Sequence, residues 1–167
     1  MIRGFTCHNR HGIANVPLNK PIIFDIMISN YGSGYNPLTG IFHADISGWY
    51  SFFVDIRVSY PNHICWIDIV RNGERISTTY AMSGGSTHQH NSDSSMAYIH
   101  LNVGDRVWIH RVYSNGTCNI DELSTFAGFL LHPLWYKHSY TVFITIQHAG
   151  SLVCRCILKQ FSTIIQL

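Results

Sequence analysis

The chain has 167 residues, of which 46% are hydrophobic and only 12% are charged, a composition that suits one packed domain and excludes a disordered chain. Residues 1–132 hold eight Lys or Arg and nine Asp or Glu, whereas residues 133–167 hold three basic residues and no acid, which gives a net charge of +2. Because no basic stripe runs through the domain, we expect no nucleic-acid partner.

Alternating apolar and polar side chains predict β-strands along the first half of the domain. An early strand is expected over Pro21–Ser29. In Trp49–Val58 the even positions are all apolar, which is typical of a half-buried strand. Two further strands, Ile64–Val70 and Glu74–Tyr80, flank Asn72-Gly73, a dipeptide that accepts positive φ at both positions of a tight turn. We therefore predict a β-hairpin over residues 64–80.

The second half of the domain holds three more predicted strands. Met96–Leu101 is expected to turn at Asn102-Val103-Gly104 and to return as Asp105–Tyr113. A short closing strand is expected over Ser124–Leu131. No segment carries a sustained helical stripe of apolar residues, so the pattern indicates an all-β sandwich or barrel.

Five short segments, taken in order, carry a family resemblance: Gly34–Phe42, Ser47–Phe52, Val70–Glu74, Leu101–Trp108 and Thr125–Leu131. At these separations they resemble the globular head domain of complement C1q, whose fold is shared with the tumour-necrosis-factor cytokines. The resemblance implies an all-β fold, a ten-stranded antiparallel jelly-roll sandwich.

The chain divides into two parts by this pattern. Residues 1–132 form the expected C1q-like globular domain, and residues 133–167 are an apolar C-terminal extension outside the family pattern. In the extension, Tyr140–Ile146 and Leu152–Leu158 are β-prone. The extension is either a translated intron or read-through, or an added hairpin packed on the domain. A membrane span is rejected because polar residues and Arg155 interrupt the only candidate stretch.

The resemblance implies a domain that assembles as a homotrimer, binds ligands and catalyses no reaction. The sequence also lacks a G-x-S-x-G nucleophile elbow, which agrees with a non-enzyme. We expect an extracellular pattern-recognition protein of innate immunity that binds carbohydrate, a microbial surface or a receptor protein. The alternative is a cytokine-like or synaptic-organiser-like signalling ligand for a host receptor, and a third hypothesis is a non-functional product whose extension disrupts assembly. Family members are typically secreted, but no apolar leader precedes Phe5, so the chain is either truncated at its start or intracellular; we expect a truncated start.

The ligand surface is expected on loops, since loops on a rigid β scaffold carry recognition. The three loops proposed are Gly32–Leu38, Ser83–Ser95 and Ser114–Glu122. Asn115 opens a glycosylation sequon in the last of them. Tyr35 belongs to a motif whose favoured role is to specify the fold, but it is included here as a candidate. The candidate ligand-binding residues are Tyr35, His88, His90, Asp93, Asp121 and Glu122.

A metal site is a weaker expectation in the same loops. His88 and His90 with Asp93 would offer two imidazoles and a carboxylate, but zinc needs further ligands that local spacing does not supply, so a solvated loop is favoured. Calcium, which family members often bind near the trimer apex, would draw on Asp93, Asp121 and Glu122. Since calcium takes six to eight oxygens, these acids do not place a site, and no cofactor is assigned.

The trimer interface and the cysteines are left open by the sequence. The resemblance implies that the last strand lies near the threefold axis, with Phe126 and Phe129 as candidate interface residues. Whether either faces the axis or the sandwich interior is not decided. The five cysteines are an odd number, which excludes complete intramolecular pairing, and Cys7 is a candidate link between chains.

Overall fold

The computed structural model describes residues 2–58, 63–84, 90–113 and 116–134, together with the backbone of two strands in the extension. The chain divides into two compact units, Met1–Leu134 and Trp135–Leu167. The strands are β1 (Gly4–His8), β2 (Ile26–Tyr31), β3 (Tyr35–Asn36), β4 (Ile41–His43), β5 (Gly48–Val58), β6 (Ile64–Arg71), β7 (Glu74–Met82), β8 (Asn91–Leu101), β9 (Arg106–Arg111), β10 (Thr125–Pro133), β11 (Phe143–His148) and β12 (Ser151–Cys156).

The first unit is a sandwich of two five-stranded antiparallel sheets. Sheet I has the order β2-β1-β10-β5-β8, and sheet II has the order β3-β4-β9-β6-β7. The ten-stranded jelly-roll prediction is confirmed. In the second unit, β11 and β12 pair as an antiparallel hairpin that overlaps the two segments predicted to be β-prone. Within the described residues, no helix is long and apolar enough to cross a membrane.

The alternation in β5 fixes the inner face of sheet I. All five even-numbered side chains from Tyr50 to Val58 are fully buried, as the period-2 pattern predicts. These β5 side chains pack into a core that is rich in aromatic rings. The ring centroid of Phe5 lies 4.6 Å from that of Tyr35, 5.5 Å from that of Phe42 and 5.1 Å from that of Phe126. Each such pair adds about 0.5–1.5 kcal/mol beyond the area it buries, so this cluster is a main source of stability.

The predicted Asn72-Gly73 hairpin is confirmed, but the second predicted hairpin is wrong. Asn72 and Gly73 have φ values of 52° and 93°, and β6 pairs directly with β7. In contrast, β8 pairs with β5 in sheet I, while β9 pairs with β4 and β6 in sheet II. The turn at 102–104 therefore passes from one sheet to the other, because alternation indicates a strand without indicating its partner.

Two strand boundaries also differ from the sequence expectation. Regular pairing of the early strand covers only Ile26–Tyr31, and Pro21 instead makes an isolated bridge to His110 of sheet II. The strand expected from Met96 begins at Asn91, because its polar first half pairs with β5 at the edge of sheet I. Edge strands tolerate such polar residues, which hide the strand from a search for apolar alternation.

The structure settles three of the cysteines. Cys65 and Cys118 form a disulfide that ties the segment before β10 to β6. Cys7 is fully buried and its Sγ donates to the Phe126 carbonyl oxygen at 3.2 Å. Burial raises the pKa of the Cys7 thiol to about 12. The expectation that Cys7 links chains is therefore corrected, since its sulfur has no access to a second molecule.

Candidate functional site

The strand register decides which loops meet at each end of the sandwich. β5 runs from Gly48, opposite Leu101, to Val58, opposite Asn91. Val58 also bridges to Ile120, so the segments before β8 and before β10 meet at this end, which we call the Val58 end. The loop that starts at Gly32 lies at the opposite end of sheet I. Two of the three predicted ligand loops therefore come together and the third does not.

Asp121 is the centre of a charged group at the Val58 end. Its Oδ2 lies 3.6 Å from His90 Nδ1 and 3.9 Å from Arg57 Nε. The main chain holds it in place: its N–H donates to the Arg57 carbonyl at 2.8 Å, and its Oδ1 accepts from Leu123 N at 2.9 Å. The structure thus joins two predicted site residues, His90 and Asp121, and adds Arg57, which sequence reasoning missed.

Glu122 borders a depression at the same end with a volume of about 320 Å³. Its other wall is the segment His11–Ala14, which sequence analysis also missed because it contains no recognisable motif. Gly12 has a φ of 70°, and a Cβ there would lie 2.6 Å from the Ile120 carbonyl oxygen. Only glycine allows this approach, so the two walls meet because of that residue.

Tyr35 lies in the core and not on the ligand surface. It is 2% exposed, its ring stacks on Phe5, and its hydroxyl accepts from Phe24 N at 3.1 Å. Burial raises the pKa of its hydroxyl. These contacts correct the expectation that Tyr35 faces a ligand and agree with the role of its motif in specifying the fold.

Asp93 is a structural link between the sheets. Its Oδ2 accepts from Thr79 Oγ1 at 2.6 Å and from Tyr80 N at 2.8 Å, both on β7. The Thr79 hydrogen bond, followed by that of Tyr80, lowers the pKa of the Asp93 carboxyl. Asp93 therefore lies apart from the His90 and Asp121 pair, and no grouping of three or more His, Cys, Asp or Glu suited to a metal occurs among the described residues. His88 and Asn115 lie outside the described residues.

The two candidate interface phenylalanines face opposite sides of sheet I. Phe126 is fully buried among the core rings, so its assignment to an interface is corrected. Phe129 is 47% exposed on the outer face. It belongs to an apolar patch on β5, β8 and β10, in which the Trp49 and Tyr98 rings stack at 5.0 Å. We call this the sheet I patch; it consists of Trp49, Phe53, Met96, Tyr98 and Phe129.

Comparison with known proteins identifies the family. The model of the C1q domain matches residues 4–131, most of the chain. This chain belongs to the C1q domain family. Membership makes it a ligand-binding or signalling domain, of a family whose domains are generally non-enzymatic.

The C1q domain is also recognised in individual relatives. The chain is 33% identical to zebrafish (Danio rerio) Caprin-2 over 122 residues, which cover 69% of this chain and 12% of Caprin-2. It is 32% identical to human complement C1q tumor necrosis factor-related protein 5 over 130 residues, which cover 76% of this chain and 51% of that protein. The matches thus span about half or less of these relatives' own length.

Solved structures share the same fold. The globular domain of zebrafish complement 1qA superposes with a TM-score of 0.62 at 18% identity, covering 78% of this chain and 98% of that domain. Murine APRIL superposes with a TM-score of 0.61 at 12% identity, covering 78% and 100%. At these identities the likeness establishes the jelly-roll sandwich of the C1q domain and no shared ligand.

Proposed function

We propose that this C1q domain is a non-catalytic, secreted pattern-recognition module of innate immunity that acts as a homotrimer. The observation that carries the proposal is the sheet I patch, which exposes four aromatic rings and a methionine on one face of the sheet. Contiguous exposed apolar surface of this kind marks an interaction site, and its burial contributes about 25 cal/mol per Å².

In a closed ring of identical subunits, neighbouring copies of the chain cover the sheet I patch. In a cyclic trimer each copy buries the face of its sheet I against its neighbours, and the ring leaves no patch uncovered. Phe129, at the centre of β10 between β1 and β5, is then an interface residue. This proposal retains one of the two phenylalanines that the sequence suggested.

The trimer would place three copies of the Val58 end on one rigid body. We propose that His90, Asp121 and Glu122 contact ligand there, with Arg57 and the wall at His11 beside them. His88 and Asn115 belong to the same two loops by sequence. Three weak sites on one body gain avidity through effective concentration, which is why assembly matters for a domain of this kind.

Binding of the full chain to immobilised microbial glycans and to host cells tests the proposal. We expect binding to the glycans, weakened by alanine at His90 and Glu122 and unchanged by Leu38→Ala, since Leu38 lies on the loop that does not reach the Val58 end. Saturable binding to host cells without glycan binding would instead support a signalling ligand. Glycan binding that survives alanine at every described loop position would overturn the placement of the site.

A further inference from the structure

The outer face of sheet II carries an aromatic row that plays no part in the core or in the sheet I patch. Trp66 lies opposite Tyr80 in the β6–β7 register, with ring centroids 4.6 Å apart. Tyr113 follows β9 on the other side of Trp66, with centroids 5.7 Å apart. The three rings are each 38–47% exposed, and the Trp66 ring is tilted by 56° to Tyr80 and by 50° to Tyr113, so the rings do not form a flat plate; we call this surface the trough.

A polar row runs directly beside the aromatic row. Asp68, two positions after Trp66 on β6, lies opposite Thr78 on β7 and opposite His110 on β9. Trp66, Asp68, Arg75, Val112 and Tyr113 together line a depression with a volume of about 450 Å³. This is within the range of about 300–1,000 Å³ that small-molecule sites occupy.

The Asp68 carboxylate lines this depression, and one of its oxygens can accept a further hydrogen bond. It is 3% exposed, and its Oδ1 accepts from Thr78 Oγ1 at 2.6 Å. Its Oδ2 lies 3.6 Å from Arg75 Nε, which pairs the charges without a short hydrogen bond. Because a carboxylate offers about four acceptor positions, Oδ2 remains able to accept from a ligand hydroxyl.

His110, which lies opposite Asp68 on β9, adds a second polar group beside the residues that line the depression. Burial lowers the pKa of its imidazole, and the nearby Asp68 only partly opposes this. The ring is therefore neutral at physiological pH and presents one donor and one acceptor nitrogen. Since Asp68 and Arg75 balance each other, the depression as a whole favours an uncharged, hydroxyl-rich ligand.

We propose that this trough is a second ligand site, separate from the Val58 end, that binds neutral pyranose sugars; the inference rests on the recognition function proposed above. One face of a pyranose ring presents C–H groups, which carry partial positive charge and pack on the negative face of an aromatic ring. The hydroxyls at the ring edge then reach the polar row. The volume of about 450 Å³ suits a single small ligand, whereas a stable protein interface needs about 800 Å² on each side.

The test compares variants of the full chain on an array of immobilised neutral oligosaccharides of mannose, glucose and N-acetylglucosamine. We expect Trp66→Ala and Tyr113→Ala each to weaken binding about tenfold, since each removes a stacking face. Trp66→Phe, which keeps a ring, and Tyr31→Ala, which removes an exposed tyrosine at the other end of the molecule, should change it less than twofold. Thermal midpoints confirm that each variant folds.

The possible failures are distinguishable. If the wild-type chain binds sugars and both alanine variants bind them equally well, this site is wrong while the recognition function stands. If the wild-type chain binds none of the sugars, the carbohydrate inference and the pattern-recognition proposal both fail. If the same two variants lose binding to host cells and the wild-type chain ignores sugars, the trough is a protein-docking face and the inference is overturned.

Discussion

At the scale of single residues, close packing against Phe52 and Phe5 explains why position 128 in β10 is a glycine. A Cβ at Gly128 would lie 2.5 Å from Phe52 Cδ1 and 2.7 Å from Phe5 Cε1. Both rings belong to the aromatic core and are held on several sides, so neither can move away cheaply. The small residue is thus a packing requirement of the core.

We predict that Gly128→Ala lowers the free energy of unfolding by about 1–3 kcal/mol through overpacking. Urea denaturation followed by tryptophan fluorescence measures the change. The matched control is Gly84→Ala, since a Cβ at Gly84 meets no atom of the described residues within 4 Å. Equal stability of the two variants would contradict the packing argument.

Phe126 and Phe129 differ only in the side of the sheet that they face. Phe126→Ala removes a fully buried ring and should cost about 3–5 kcal/mol of stability. Phe129→Ala removes a half-exposed ring, so we expect the stability of the subunit to change by less than 1 kcal/mol. Denaturation of both variants under identical conditions checks the contrast, and a larger loss for Phe129→Ala would show that the assignment of faces is wrong.

At the scale of elements, the open edge of the sandwich is closed by hydrogen bonds between β7 and β8. Asp93 accepts from Thr79 and Tyr80, and Ser95 contacts Ser77 through their hydroxyls. In a central strand, apolar residues would be expected at the positions of these polar side chains. They join the two sheets at the edge formed by β7 and β8.

The Asp93 link predicts a pH dependence of stability. Because its pKa is lowered in the folded state, its stabilising contribution is present above the ordinary carboxyl pKa of 3.8 and is lost as the pH falls through the lower folded value. Asp93→Asn should therefore reduce stability at pH 7 and flatten its decline below about pH 4. Thr79→Ser, which keeps the hydroxyl donor, should retain the wild-type pH profile; an unaltered profile in Asp93→Asn would refute the link.

The disulfide stabilises the segment that leads into β10. It closes a sequence separation of 53 residues, and removing it frees that loop in the unfolded chain. We predict that the double variant Cys65→Ala/Cys118→Ala loses about 2–4 kcal/mol of stability. Calorimetry of the wild-type chain with reductant should match the double variant, and an unaffected midpoint in either sample would count against the bond.

At the scale of the whole molecule, the outer face of sheet I is apolar, whereas that of sheet II carries aromatic rings with polar groups beside them. The sheet I patch suits a second copy of the chain, whereas the trough on sheet II suits a small ligand. Assembly through sheet I would leave sheet II facing solvent in every subunit. The two proposals are therefore compatible within one trimer.

We predict that Phe129→Glu converts the proposed trimer to monomers, because a carboxylate in a buried apolar interface is unpaired and desolvated. Light scattering of the full chain after size exclusion measures the mass. Leu38→Glu, an equally drastic change at an exposed position away from the patch, should leave the trimer intact. A wild-type chain that is monomeric at micromolar concentration would refute the assembly proposal.

The sequence by itself determined most of the strands of the first unit, though not β1, β3 and β4, together with the Asn72-Gly73 turn and the family, because alternation and positive φ are properties of neighbouring residues. Only the tertiary structure decided that β8 and β9 lie in different sheets, that Phe126 faces inward, and that Asp93 joins the sheets. The same holds for the trough, since Trp66, Tyr80 and Tyr113 stand on separate elements. Strand partners and inward-facing side chains depend on burial and hydrogen bonding between segments that are distant in the sequence. Such contacts produce no local sequence pattern from which they could be predicted.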